Sequence, residues 1–231
     1  MVSLVPSLTD AIETSRPGLI TGATDYCTHP ASLDVPRVGG SKYPHVDDVL
    51  ALRPDLVVAN AEENRPEDVA RIRADGIPVW VTAAAATVPE GLGSVRRLLT
   101  QGLDIPEPPW LVEAESLWRD MPPVRATAIV PVWRRPWVVL GRDTFAGDVL
   151  LRSGIANAFA DDAERYPRPS LDALLAKDFD LVVLPDEPYE FTVDDGPESF
   201  PGVPYALVSG RHLTWCGPSL VDAYGAFSAA L

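Results

Sequence analysis

Glu62 and Glu187 stand 125 positions apart, each four residues after one of two copies of a repeated stretch, so each is expected at the mouth of its own half of the molecule. Paired carboxylates can do acid–base work, hold a metal or attract a cation. Glu62 and Glu63 also precede a helix whose dipole favours negative charge at its start, a reading that suits Glu63 better. Glu187 is followed by Pro188 and has no helix to cap. Cys27 and His29 lie two apart in a polar loop, a spacing that suits two ligands of one soft metal. No second pair follows nearby, so no metal site is expected. The two read more readily as a half-buried thiol and an imidazole bonded to backbone.

Trp133, Trp137, Tyr166 and Trp215, with Tyr26, are many aromatics for loops. Aromatics in such places line pockets for flat or bulky ligands, although some must instead hold loops to the core. Arg134, Arg135 and Arg142 suit the carboxylates or amides of a ligand, and Arg135 suits solvent equally. The patterns GxSxG, HExxH, Walker A and GxGxxG are absent, and Gly39-Gly40-Ser41-Lys42 lacks the P-loop spacing. Nothing therefore supports catalysis, and the chain is expected not to be an enzyme.

The elements that must position these groups are written twice. The stretch 44–58, PHVDDVLALRPDLVV, returns at 169–183 as PSLDALLAKDFDLVV without a gap. Each copy reads as a short amphipathic helix, a tight turn and a buried strand, half of a βαβ unit. The register extends to SLVP against AIVP and to GIP against GVP. A repeat this long is a whole lobe copied once, not a solenoid unit. Strands are expected at 1–7, 19–24, 55–60, 77–82, 125–133, 181–184 and 204–208. Helices are expected from 8, where Thr9 or Asp10 can cap, and at 46–52, 66–75, 89–100, 110–121, 145–153 and 219–231. The fold class is thus α/β, with two Rossmann-like lobes of mainly parallel strands and a ligand cleft between them. The domains are 1–105, a proline-bounded connecting helix over 106–123, and 124–231. In open parallel sheets ligands bind beyond the carboxyl ends of the strands. Those segments are 26–30, 61–65, 133–142, 186–189 and 212–217.

A length of 231 residues, 46% hydrophobic and 23% charged, can bury a substantial core. The net charge of −14 argues against nucleic acid and anionic membrane as partners. Cys27 and Cys216 are too few for a disulfide scaffold. No apolar run approaches the ~20 residues of a membrane helix, and no basic start precedes an apolar segment. On these grounds either the protein is cytoplasmic or the given sequence lacks a leader.

VSLVPSLTD, the TDYCTHP loop, VPRVGG, LALRPDLVVAN, GIPVWVT, GRDTF, ERYP and VLPDEPY together resemble the substrate-binding proteins of metal-chelate ABC importers. These are the vitamin B12 and ferric-siderophore receptors with a helical backbone. The resemblance implies two Rossmann-like lobes, one rigid connecting helix and a ligand held in the cleft. The ligand would be a corrinoid or another metal chelate, with no covalent cofactor, taken up by a monomer outside the cytoplasm and delivered to an ABC permease. Tyr26 matches a cleft tyrosine of the B12 receptor. Tyr166 falls where that receptor has a cleft tryptophan, and Lys42 replaces a second one. Tyr26, Lys42, Glu62, Trp133, Arg142, Tyr166, Glu187 and Trp215 form the expected ligand set. Asp47 and Asp172, at the same place in the two copies, match the acidic residues that grip permease arginines; helix N-capping is the competing role. A cytoplasmic carrier or sensor of such a ligand is the alternative within binding. A small enzyme using Glu62, Glu187, Cys27 and His29 is the alternative outside it.

Overall fold

The computed structural model describes residues 1–231 and divides them into two compact units. The first comprises Met1–Ala84, Gly91–Glu113 and Cys216–Pro218; the second comprises Ala85–Glu90, Ala114–Trp215 and Ser219–Leu231.

In the first unit β1 (Val2–Ser3), β2 (Gly22–Ala23), β3 (Val57–Asn60) and β4 (Val79–Thr82) form an all-parallel sheet in the order β2-β1-β3-β4. Helix α1 (Pro6–Ser15) begins earlier than the expected start at residue 8. Pro6 occupies its first turn, where a missing N–H costs nothing and the fixed φ is already helical. Thr9 therefore lies inside the helix rather than capping it, and its hydroxyl donates to Val5 O at 3.0 Å. Helix α2 (Val46–Ala51) leads to β3, and α3 (Pro66–Ala74) leads to β4. Asp75 and Gly76, at φ +84°, end α3. Only glycine enters that left-handed region without strain. Glu67 and Asp68 stand in the first turn of α3 and Arg71 and Arg73 in its last, both matched to the helix dipole. Two buried clusters fill this unit. One joins Val5, Leu8, Ile12, Val58, Leu98 and Leu99, and the other Leu4, Val38, Val49, Val57 and Ile72.

Helix α4 (Val88–Arg97) runs into a π-helical turn, Leu98–Gly102, and the division between the units falls inside α4, after Glu90. It falls again inside α5 (Pro109–Leu117), after Glu113. The expected apolar face of α5 is buried at Leu111, Ala114 and Trp118.

The second unit repeats the sheet. Its strands are β5 (Ala126–Ile129), β8 (Ile155–Asn157), β9 (Leu181–Pro185) and β10 (Tyr205–Val208), again all parallel. Their order is β10-β9-β5-β8. With β5, β8, β9 and β10 set against β1, β2, β3 and β4, the two orders are identical. The expected strand over 125–133 is broken: β6 (Pro131–Trp133) leaves the sheet and pairs antiparallel with β7 (Val138–Val139). Pro131 lacks the N–H that continued pairing needs. Helix α6 (Phe145–Arg152) is capped by Thr144, α7 (Leu171–Leu175) by Ser170 and α8 (Gly210–Thr214) by Ser209, each cap oxygen accepting a backbone N–H. Helix α9 (Ser219–Ala230) closes the chain. It accepts the Trp118 indole N–H at Leu220 O, 2.7 Å away. Strand β8 and helix α8 are not in the sequence reading. Residues 212–217, expected as a loop, are largely α8 and its exit. No helix is long and apolar enough to cross a membrane.

Candidate functional site

Most of the expected ligand residues follow the carboxyl ends of strands, but they differ in how they are held. In the first unit Asn64 ties the ends of two strands to a loop. Its amide donates to Leu4 O at 3.3 Å and Ser41 O at 2.8 Å, while its oxygen accepts from Asn60 N at 2.8 Å. Asn60, at the end of β3, donates to Thr82 Oγ1 and Ala83 O and accepts from Glu62 N. This amide pair holds the turn that carries Glu62 and Glu63. Burial first, and then the neighbouring Glu62, push the Glu63 carboxyl from 4.5 up to about 7. Neither glutamate caps α3. Its cap is Arg65, which makes no side-chain cap bond and instead forks onto both oxygens of Asp68 at 2.8 Å.

Tyr26 is 65% exposed, and its ring edge lies by Gly40. Tyr43, equally exposed, carries the Arg65 guanidinium over its ring at 4.8 Å. Lys42 is exposed. Cys27, by contrast, is fully buried: Thr9 Oγ1 and Thr24 Oγ1 lie 3.1 and 3.2 Å from its sulfur. Burial pushes its thiol up. Its side chain belongs to the core, and His29 is engaged by Thr28. No group of three or more His, Cys, Asp or Glu is placed to hold a metal ion.

In the second unit the β6–β7 hairpin and the loop after β9 meet through Arg134. Its guanidinium pairs with Asp195 and Glu198, donates to Ser199 Oγ at 3.1 Å, and lies 5.3 Å from the Trp137 ring centre. Arg134 is therefore consumed internally and is not available as the ligand contact its residue type suggests. Trp137 stacks on Phe191 and meets Phe200 edge-on, so it holds the hairpin to the core. Trp133 remains 44% exposed, with Tyr189 edge-on at 5.6 Å. Arg142 lies beside Asp143 at 2.8 Å, and Tyr166 is exposed. Trp215 is only 6% exposed, with Arg211 over its ring. Glu187 follows β9, and an added Cβ on Gly210 would stand 2.5 Å from its carbonyl oxygen. Burial and then Asp186 raise its carboxyl pKa, against the opposing pull of Arg211.

Asp47 and Asp172 are exposed in the first turns of α2 and α7, but neither is the cap. His45 stands at the α2 cap position without a side-chain cap bond, and Ser170 caps α7. N-capping thus does not explain why the two aspartates recur. Asp47 pairs with Arg71.

Sequence reasoning missed Tyr43, Asp195 and Gly210, and it named the segment 61–65 without singling out Asn64 and Arg65. The signal for Asn64 was its place four residues after Asn60, which lets an amide reach back to the strand end.

No protein-family model matches the chain. It is 22% identical over 188 residues to the vitamin B12-binding protein of Vibrio cholerae, which covers 77% of this chain and 67% of that protein. The structure of a periplasmic heme-binding protein from Pseudomonas aeruginosa superposes with a TM-score of 0.83 at 22% identity, covering 99% of this chain and 90% of that one. The periplasmic heme-binding protein RhuT from Roseiflexus sp. RS-1, in apo form, gives a TM-score of 0.77 at 22% identity over 99% and 97% of the two chains. The chain thus has the two-unit α/β fold of periplasmic heme-binding proteins and resembles a vitamin B12-binding protein in sequence.

Proposed function

We propose that this protein binds a metal chelate, a corrinoid or a ferric chelate such as heme or a ferric siderophore, without covalent attachment, and delivers it to an ABC importer. The observation that supports the reading most is the fold likeness along 99% of the chain to proteins named for binding heme. The exposed aromatics agree with it, because a flat or bulky ligand is recognised by aromatic faces with a few polar groups beside them. Tyr26, Lys42 and Glu62 of the first unit, and Trp133, Arg142, Tyr166 and Glu187 of the second, contact the ligand. Asp47 and Asp172 meet arginines of the permease, one charge from each copy of the repeat. The protein works outside the cytoplasm as a monomer.

Absorbance titration and calorimetry with cobalamin, cobinamide, hemin and several ferric siderophores test the binding step. At least one of them binds at micromolar concentration or tighter. Failure of all of them overturns the reading.

A further inference from the structure

Trp133 is 44% exposed on a short hairpin, and its ring is held by its surroundings. The Tyr189 ring meets Trp133 edge-on at 5.6 Å and 78°. The Tyr189 hydroxyl donates to Asp195 Oδ2 at 2.5 Å. Asp195 in turn pairs with Arg134, the residue after Trp133. Arg134 also takes Glu198 and Ser199, and its side chain is only 12% exposed. The chain of contacts thus leaves Trp133, passes through Tyr189 and Asp195, and returns to the neighbouring residue. A closed ring of an aromatic contact, a hydrogen bond and an ion pair fixes the indole relative to the backbone that carries it. Beneath it, Trp137, Phe191 and Phe200 pack into the core.

We propose that Trp133 is the stacking surface that the second unit offers to a flat conjugated macrocycle, and that Arg134 is a positioning residue for it, acting through Asp195 and Tyr189. An edge-on partner leaves the indole with a face for a ligand, and offset stacking on that face suits a flat π-system. Pre-ordering also spares the ligand the entropy of immobilising a side chain on binding. This inference rests on the proposed function, since it needs a ligand with a flat face.

The experiment is an absorbance titration of hemin and of cobinamide against the wild-type chain, Trp133→Phe, Trp133→Ala, Arg134→Met and the double variant Trp133→Ala/Arg134→Met, with thermal melts of each. Trp133→Ala weakens binding by about tenfold, while Trp133→Phe retains most of the affinity. Arg134→Met weakens it by a smaller factor, and it adds nothing once Trp133 is alanine. A residue of merely structural value would add its full effect in the double variant. Trp133 is exposed, so its variants melt like wild type and remain informative even if Arg134→Met folds poorly. Unchanged affinity in Trp133→Ala, with the wild type binding, overturns this inference and leaves the function standing. Additive losses overturn the role of Arg134. A wild-type chain that binds neither macrocycle overturns the stacking surface. If it then takes a ferric siderophore, the proposed function survives.

Discussion

The two units carry the same sheet in the same strand order, yet the loops beyond their strands are held by opposite means. In the first unit, a nearly buried amide, Asn64, bonds to backbone groups of three segments. In the second, a charged side chain, Arg134, bonds to side chains of a facing loop and lies over an aromatic cluster. An amide bonded to buried backbone cannot be replaced by water, whereas carboxylates near the surface regain solvent when their partner leaves. The first arrangement serves stability; the second holds a ring in place at lower energetic cost.

The largest expected effect follows from that difference. Asn64→Leu strands the Leu4 and Ser41 carbonyls and the Asn60 N–H, and should cost about 3 kcal/mol in urea unfolding. Arg134→Met should cost less, because Asp195 and Glu198 are partly exposed and regain water when the guanidinium is gone. Equal costs would erase the distinction drawn between the two mouths.

Next comes Gly210→Ala, which forces a Cβ into the backbone of Glu187. The substitution should destabilise the protein by about 2 kcal/mol and shift ligand affinity through Glu187. A variant with wild-type stability and affinity would show that the loop yields freely.

The glutamates at the two mouths sharpen the comparison in pH. The native Glu63 carboxyl titrates at about 7, above its ordinary 4.5. Between those values the native protein holds a proton that the unfolded chain has released. The contribution of Glu63 is therefore full below pH 4.5, fades as pH rises through 7 and is flat above. Glu63→Gln should remove that slope and stabilise the protein at pH 8 by about 1–3 kcal/mol. Glu187→Gln should do the same more weakly, since Arg211 favours the ionised form there. Stability curves from pH 4 to 8 measure both, and a slope unchanged in Glu63→Gln would assign it to another group.

The smallest effect on stability belongs to Asp47→Asn and Asp172→Asn. Both aspartates are exposed and neither caps its helix, so each change should stay within about 0.5 kcal/mol. Ligand affinity should also hold. Transport in a reconstituted importer should fall, most in the double variant, and full transport by the double variant would remove the docking role.

The sequence by itself determined the repeated half of each unit. Helix α2 with β3, and α7 with β9, were legible because an amphipathic turn followed by a run such as Leu-Val-Val is a local pattern, and its recurrence 125 positions later doubled the signal. The parallel sheets and the placing of Glu62 and Glu187 after their strands followed from it. Strand β8 was invisible: three residues show no period, and only pairing with β5 makes Ile155–Asn157 a strand. The tertiary structure alone decided which polar groups are spent. Arg134 finds its acids more than 60 positions away, and Asn64 reaches Leu4 across 60. Trp215, counted with the loop aromatics, is buried at the exit of a helix the sequence did not announce. Cys27 reads as a metal candidate from its neighbour His29, but the hydroxyls of Thr9 and Thr24 take its sulfur into the core. Residue type records what a side chain can bond. Which partner it meets depends on closing long loops against a sheet, and that pairing is not written in any local pattern.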